Sequence, residues 1–407
     1  MMKTYKIRLL PTPEQERLLW QHANASRFVW NWGLARNMER FSNGDKYESK
    51  VTNGKELTQL KRHDEKFQWL NEVSYQTLSM TLIDLHNAYK RFFATQKQGE
   101  KFTKKTIARA ARQKRKLTPY DMNGHPKFKM KDEQTPRFYM TTQTFYISKD
   151  TIQLEKFGKV KLQTSYTLPI ISNRKVAQET VINPRVKYEN GKWLLTFGIE
   201  CQETQKPELN GVIGIDVGVK TLAVCSNGLI IKNVNKTKRV RKLERRLKRK
   251  QRAVQRKRNV NPDFKKTGRA NRHIQADKQV KQLYTKLRNI RQDYTHKATR
   301  QIVNLLPKTI VMEDLNVSGM MKNQHLAKAI AQQNLYEFKR QIQYKSEWQG
   351  TEVALAERWF PSSKKCSRCG SIKRDLKLKD RVYKCDACGL EIDRDYNASK
   401  NLEQLGA

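Results

Sequence analysis

Three things are scarce in this sequence. Acidic residues are the first: Asp and Glu number 39 against 83 Lys and Arg, which leaves a formal net charge of +44 over 407 residues. A free globular chain has no use for such self-repulsion, and a polyanionic partner would relieve it, so the reading turns toward nucleic acid. Long apolar runs are the second. No stretch of about 18 apolar residues occurs, which excludes a membrane-spanning helix, and the opening MMKTYKIRLLPTPEQ lacks the apolar core of a secretory signal. No membrane partner is expected. Cysteine is the third. Of six, four stand in paired C-x-x-C spacing, which suits a metal in a reducing compartment rather than disulfides. Cys201 and Cys225 lie in strand-like runs and read as buried free thiols.

What is present still builds cores. Apolar residues make up 37% and aromatics 9%, too much for a disordered basic tail, and the length allows two to four compact units. The stretch Gly211 to Asn227, GVIGIDVGVKTLAVCSN, predicts two apolar strands joined through one acidic residue and a glycine turn. Asn227-Gly228 then predicts a hairpin into Leu229 to Ile231. A carboxylate in an apolar strand is costly to bury without a positive partner. Asp216 is therefore a candidate metal ligand, with an Asp that caps a tight turn as the alternative. Gly214 and Gly218 permit close approach of backbone or ligand.

Taken in order, residues 3 to 10 predict a strand. Thr12-Pro13-Glu14-Gln15 carries a capping box and a first-turn proline, and Leu18, His22, Ala25, Val29 and Trp32 follow at helical spacing. A second helix is expected from Ser74 to about Gln96, packed on the first. Residues 101 to 117 are basic and nearly devoid of apolar residues, either a solvated face or a phosphate-tracking segment. From about Pro119 to Cys201 short strands recur between Gly, Asn and Pro turns, a small antiparallel barrel or sandwich that the first strand could complete. Within it Lys127, Phe128 and Lys129 mix basic and aromatic side chains, which suits nucleic-acid contact. Between Lys236 and Arg258, 14 of 23 residues are Lys or Arg, with Arg241, Arg245 and Arg249 as candidate nucleic-acid ligands. A thin stripe of Val240, Leu243, Leu247 and Val254 pairs this run with a helix over Val280 to Leu305, as an antiparallel hairpin. Lys308 to Leu315 predicts a strand ending in acid, followed by one polar helix from about Leu326 to Trp348 and a strand at Thr351 to Ala356.

Cys366-x-x-Cys369 and Cys385-x-x-Cys388, each followed by a glycine, match a closed tetrahedral zinc site with a structural role. Asp216, Glu313 and Asp395 each stand where an element begins or ends, 97 and 82 residues apart. A mixed sheet can bring the first two onto neighbouring strands, with a helix carrying Asp395 packed across them. Three converging carboxylates cannot all stay ionised and unpaired. Hard oxygen ligands favour Mg2+ or Mn2+, and two such ions about 4 Å apart would activate water against a phosphodiester. The residues alone leave two readings: a metal-dependent nuclease, or a basic binding protein with incidental acids.

GIDVGVKTLAV at 214 to 224, VMEDLNV at 311 to 317, the paired C-x-x-C and DRDYNAS at 393 to 399, in that order, resemble the TnpB family, transposon-encoded RNA-guided DNA nucleases related to type V CRISPR effectors. LPTPEQERLLW, SRFVWNWGLAR, AYKRFF, GHPKFK and GKVKL extend the likeness over nearly the whole chain. The resemblance implies an α/β multidomain protein. It implies a β-barrel wedge domain (1–12 and 119–208) interrupted by a helical recognition domain (13–118). An RNase H-like RuvC nuclease domain (209–360 and 391–407) would follow, with an inserted zinc ribbon (361–390). Asp216, Glu313 and Asp395 would be the catalytic, metal-binding triad. A monomer in the cytoplasm of a prokaryotic cell, near the nucleoid, would hold a guide RNA from the transposon end. It would recognise a short motif in double-stranded target DNA, with Tyr75 and Ser79 as candidate contacts, and cut both strands with one site. A cleavage-deficient guided repressor and a strand-transfer transposase are the competing functions. The connection from Phe93 to Gly124 is longer than is usual in the family.

Overall fold

In the computed structural model the chain divides into two compact units, Met1–Glu203 and Thr204–Ala407. The structure describes residues 2–44, 50–99, 101–131, 135–140, 145–148, 150–163, 181–200, 207–260, 270–377 and 380–406. Cys201 lies outside them, as does most of the expected loop at 259 to 268. Among the described residues no helix is long and apolar enough to cross a membrane.

The first unit opens with β1 (Met2–Leu10) and α1 (Pro13–Ser42), then α2 (Lys50–His63), α3 (Glu65–Gln68), α4 (Tyr75–Gln98) and α5 (Lys104–Arg112). The strands β2 (Arg137–Tyr139), β3 (Tyr146–Ile147), β4 (Thr151–Leu154), β5 (Gly158–Gln163), β6 (Val181–Glu189) and β7 (Lys192–Glu200) follow. α1 begins as its sequence dictates: the Thr12 hydroxyl accepts from the Gln15 backbone, and the Gln15 side chain accepts from the Thr12 backbone. α1 and α4 cross closely at Gly33, where an added Cβ would sit 3.0 Å from Leu85. Ala25, Val29, Leu78 and Leu82 fill the contact on one side, and Leu34, Tyr89 and Phe92 on the other. His22 is fully buried. Its Nδ1 bonds the Leu18 carbonyl at 2.9 Å, and its Nε2 accepts the Ser74 N–H at 3.2 Å, at the residue that opens α4. That pattern requires the neutral ring, and burial lowers its pKa to about 4.

The strands form one antiparallel sheet in the order β2-β6-β7-β1-β5-β4-β3, with β1 between β5 and β7. Inward residues such as Ile7, Leu9, Phe138, Ile152, Val160, Leu195 and Phe197 make its core. The expected barrel is corrected: among the described residues β2 and β3 end the order and do not pair, so the sheet stays open. They span three and two residues, too short to supply a closing ladder, and β6 breaks register between Ile182 and Arg185. There Pro184 offers no N–H, and Asn183 takes a φ of 51°. The basic stretch at 101 to 117 contains the helix α5, capped by Thr103.

The second unit contains β8 (Val212–Val217), β9 (Thr221–Cys225), β10 (Ile230–Lys232), α6 (Lys238–Val260) and α7 (Asn271–Val303). After these come β11 (Thr309–Glu313), α8 (Val317–Met320), α9 (Ala327–Gln333), α10 (Leu335–Gln349) and β12 (Glu352–Ala356). β13 (Val382–Lys384), β14 (Glu391–Asp393) and α11 (Arg394–Glu403) complete it. The sheet order is β10-β9-β8-β11-β12, with β8, β11 and β12 parallel and β9 and β10 antiparallel. Ile215, Leu222, Ile302, Ile310, Met312, Phe338 and Ile342 form the core between this sheet and the helices α7 and α10. α6 and α7 make the expected hairpin through Val240, Leu247, Leu283 and Leu287. Each such leucine stabilises it by roughly 1.5–3 kcal/mol when fully buried. The single polar helix expected from Leu326 is two: Asn334, at φ 60°, ends α9 and starts α10. Cys225 is a buried free thiol, as its strand context suggests, and burial raises its pKa to about 12.

Candidate active site

The site grows from the register of β8 against β11. Met312 pairs with Ile215 in parallel, so the next step along both strands brings Glu313 beside Asp216. α11 supplies the third acid. Asp393 caps that helix, its carboxylate accepting the backbone N–H groups of Asp395 and Tyr396 at 3.0 Å each. This sets Asp395 in the first turn. The helix can lie over β8 because Gly214 has no side chain there. Ser226 on the neighbouring segment latches the layers. Its hydroxyl accepts the Gly214 N–H at 3.1 Å and donates to the Glu403 carboxylate at 2.8 Å.

All three carboxylates are partly buried. The Asp216 carboxyl is pushed well above the usual carboxylate range, first by burial, then by the negative charges of Glu313 and Asp395; Arg394 opposes this more weakly. No hydrogen-bond donor reaches the Asp216 carboxylate among the described residues. Glu313 accepts a hydrogen bond from the buried Ser362 hydroxyl. Asp395 faces Arg394 at 3.8 Å and Arg381 at 3.9 Å. One buried carboxyl under this strain, with two further carboxylates beside it, fits a hard divalent cation by its donor chemistry.

Nothing in the local sequence marks the residues that surround these acids. Asp314, next to Glu313, binds Lys339 at 2.9 Å and Arg358 at 3.0 Å. Both cations line a cavity of about 250 Å³ together with Glu313, Val217, Tyr336 and Arg340. Asp314 was visible in VMEDL, but its partners come from α10 and the segment after β12, and no local pattern links them.

The four cysteine sulfurs lie within 4.8 Å of one another, a group tight enough for one metal ion. The three carboxylates do not form so tight a group. Cys366 and Cys388 sulfurs are 3.6 Å apart, and those of Cys369 and Cys385 are 3.5 Å apart. Gly370 (φ 79°) and Gly389 (φ 71°) turn each knuckle in the left-handed region. Backbone N–H groups of Cys388 and Ala387 lower the Cys385 thiol to about 6, which prepares it as a thiolate ligand. Two buried asparagines on α11 grip this ribbon. Asn397 bonds Lys365 O and the Ser367 N–H at 2.7 and 3.0 Å, and Asn401 donates to Ser362 O and Lys365 O at 2.7 Å each. The chain from the cysteines to Glu313 thus runs through Lys365 and Ser362.

The other candidates fall at separate places. Tyr75, exposed, and Ser79 line one groove of about 550 Å³ between α2 and α4, with Val51, Leu57 and Leu78. Lys127, Phe128 and Lys129 form a segment fastened to α1: Trp30 Nε1 donates to Lys127 O at 3.0 Å, and Asn31 exchanges two hydrogen bonds with the Lys129 backbone. The Lys129 ammonium lies 3.6 Å from the Trp30 ring centroid, and burial lowers its pKa to about 7. Phe128 remains exposed. Arg241 and Arg245 line a groove of about 920 Å³ between α6, α7 and α9; Arg249 is exposed outside its lining.

Three family models match. One described as "Probable transposase" covers residues 186–324, one described as "Cas12f1-like, TNB domain" covers 336–402, and a helix-turn-helix model covers 1–46, which fold here as β1 and α1. Among curated proteins, one from Streptomyces pristinaespiralis named "Putative RNA-guided DNA endonuclease" is 28% identical over 99% of this chain and 89% of its own length. InsQ of Escherichia coli K12, named likewise, is 27% identical over 100% and 92%. The CRISPR-associated endodeoxyribonuclease Cas12f1 of Sulfoacidibacillus thermotolerans is 29% identical over 52% and 50%. The solved structure of CasPhi-2 (Cas12j) bound to crRNA aligns over 100% of this chain and 98% of its own, at 11% identity and a TM-score of 0.49.

Proposed function

Because the chain belongs to the TnpB family, we propose that it is an RNA-guided DNA endonuclease whose catalytic carboxylates are Asp216, Glu313 and Asp395. The observation that carries this is the Asp216 carboxyl at a strand end beside Glu313 and Asp395, driven above its usual range first by burial and then by those two acids. A group in that state is suited to a cation and poorly suited to a purely structural role. Two Mg2+ or Mn2+ ions bound there would polarise the phosphodiester and activate water.

The chain's own residues do the rest. Asp216, Glu313 and Asp395 would hold the cations, and the Ser362 hydroxyl fixes one Glu313 oxygen. Lys339 and Arg358, held on Asp314, offer positive charge to the DNA backbone beside Glu313. The cysteine ribbon at 361–390 takes Zn2+ and braces α11. Residues 209–360 and 391–407 act as the RuvC-type nuclease, the strands of 1–12 and 119–208 as a wedge, and the helices of 13–118 as a recognition region. A guide RNA from the transposon end selects the DNA strand by base pairing, while Tyr75 and Ser79 face the short duplex motif. The excess of 44 positive charges suits a protein that holds RNA and DNA together.

The test is to co-express the chain with its flanking DNA, sequence the bound RNA, and challenge the purified complex with matching duplex DNA. A discrete RNA and cutting of both strands, lost in Asp216→Ala with RNA retained, is the expected result. Binding without cutting would make the protein a guided repressor, and cutting of either strand by Asp216→Ala would remove these acids from a shared site.

A further inference from the structure

The groove between α6, α7 and α9 has a chemistry of its own. Arg241, Arg245 and Lys248 line it from one face of α6, and Lys328 lines it from α9. Among the described residues none of these four cations has an ion pair. The one acid in the lining, Glu244, is already satisfied, accepting from Arg291 at 2.8 Å and from Gln332 at 2.7 Å. The floor is apolar, from Leu247 and Leu287. On this floor stands Tyr284, 51% exposed on a helix whose other outward residues are mainly polar or charged. Its hydroxyl accepts a hydrogen bond from the Gln251 amide at 2.5 Å, which holds the ring at the groove.

An anion alone would need the cations and leave Tyr284 without purpose. A duplex presents phosphates, but its base faces are stacked away. An unpaired strand presents both, and aromatic rings in positively charged grooves are how such strands are held. We propose that this groove binds an unpaired stretch of nucleic acid. One base stacks on Tyr284, and the phosphates follow Arg241, Arg245, Lys248 and Lys328. RNA and displaced DNA share this chemistry. The inference rests on the nucleic-acid reading above, yet it concerns strand state rather than cleavage.

The experiment uses the full chain in buffer without Mg2+ or chelator, so that nothing is cut and the cysteine ribbon keeps its metal, with fluorescein-labelled strands of about 12 nucleotides. RNA and DNA are each tested single and as duplexes, over a range of salt. Tyr284→Leu is expected to weaken single-strand binding roughly tenfold, leave duplex binding unchanged and keep the salt slope. Tyr284→Phe, which retains the ring, restores the single-strand affinity. Arg241→Gln with Arg245→Gln is expected to flatten the single-strand salt slope by about 1.4. Equal losses for single strands and duplexes with Tyr284→Leu, or no loss, would overturn the proposal. A larger Tyr284 effect with RNA than with DNA identifies the guide as occupant, and the reverse identifies the displaced strand. Selectivity at Tyr284 without guided cutting would sink only the nuclease reading; guided cutting with a neutral Tyr284→Leu would sink only this one.

Discussion

A carbon added to Gly214 would lie 2.0 Å from the Ser399 carbonyl oxygen and 2.4 Å from the Glu403 nitrogen. Strand β8 and helix α11 therefore touch backbone to backbone, and both obstacles are main-chain atoms that cannot swing aside. Gly214→Ala is expected to lift α11 from the sheet, carrying Asp395 away from Asp216. The destabilisation should be about 3 kcal/mol or more, with guided cutting lost and RNA binding retained. Thermal unfolding and a cleavage assay check this, and a variant of native stability and activity would contradict the packing.

The raised Asp216 carboxyl sets a direction with pH. An acid whose folded pKa exceeds its unfolded value contributes stability at low pH that is lost as pH rises above the ordinary carboxyl value of 3.8 and through the folded value. The metal-free protein should accordingly melt lower as pH rises toward neutrality, and Mg2+ should raise its melting temperature most at the higher pH. Asp216→Asn should remove both trends and lower cutting by roughly two orders of magnitude or more, the several kcal/mol that a bound cation supplies. Melting curves with and without MgCl2 across pH read this out, and a Mg2+ shift that survives in Asp216→Asn would count against the site.

Ser362 joins the ribbon to the acids, since its hydroxyl donates to Glu313 and its carbonyl accepts from Asn401. Ser362→Ala should raise the Mg2+ concentration needed for half-maximal cutting by several-fold, and Ser362→Thr should restore it. Cys366→Ser should lower zinc content and also slow cutting, although among the described residues no cysteine lies among the carboxylates. Zinc analysis beside a Mg2+ titration tests the coupling; normal Mg2+ dependence in both variants would break it.

His22 predicts acid sensitivity in the first unit. With the ring at about 4 when folded and at the ordinary 6.5 when unfolded, the unfolded chain binds the extra proton between those limits, so stability is full above 6.5 and declines as pH falls toward 4. The shift corresponds to about 3 kcal/mol. His22→Gln retains an acceptor for the Ser74 N–H and should flatten the pH dependence of the urea transition. A slope equal to that of the unmodified chain would assign it elsewhere.

The legible parts were those with a local signature. The capping box of α1, the apolar stripes of α6 and α7, the glycine after each cysteine pair and the acid at the end of β11 each act over a few residues. What was missed depends on contacts far apart in the chain. α2 and α5 have thin apolar faces, and in α5 Ala110 is the one buried residue, so neither shows an apolar stripe to the eye. The break at Asn334 is one residue in an otherwise helical pattern. Open edges rather than a closed barrel follow from how short β2 and β3 are. The convergence of Asp216, Glu313 and Asp395 was inferred by allowing a mixed sheet, but Ser362, Asp314, Lys339 and Arg358 entered only through tertiary contacts.

The latch from Ser226 to Glu403 spans 177 positions. On a ribosome the first unit and the basic hairpin of α6 and α7 emerge well before α11. On the proposed function, a nascent chain would therefore meet RNA while the three-carboxylate centre still lacks a wall. On the same reading, strand scission would become available only after the latest of these pieces docks, and order of synthesis would place capture ahead of damage.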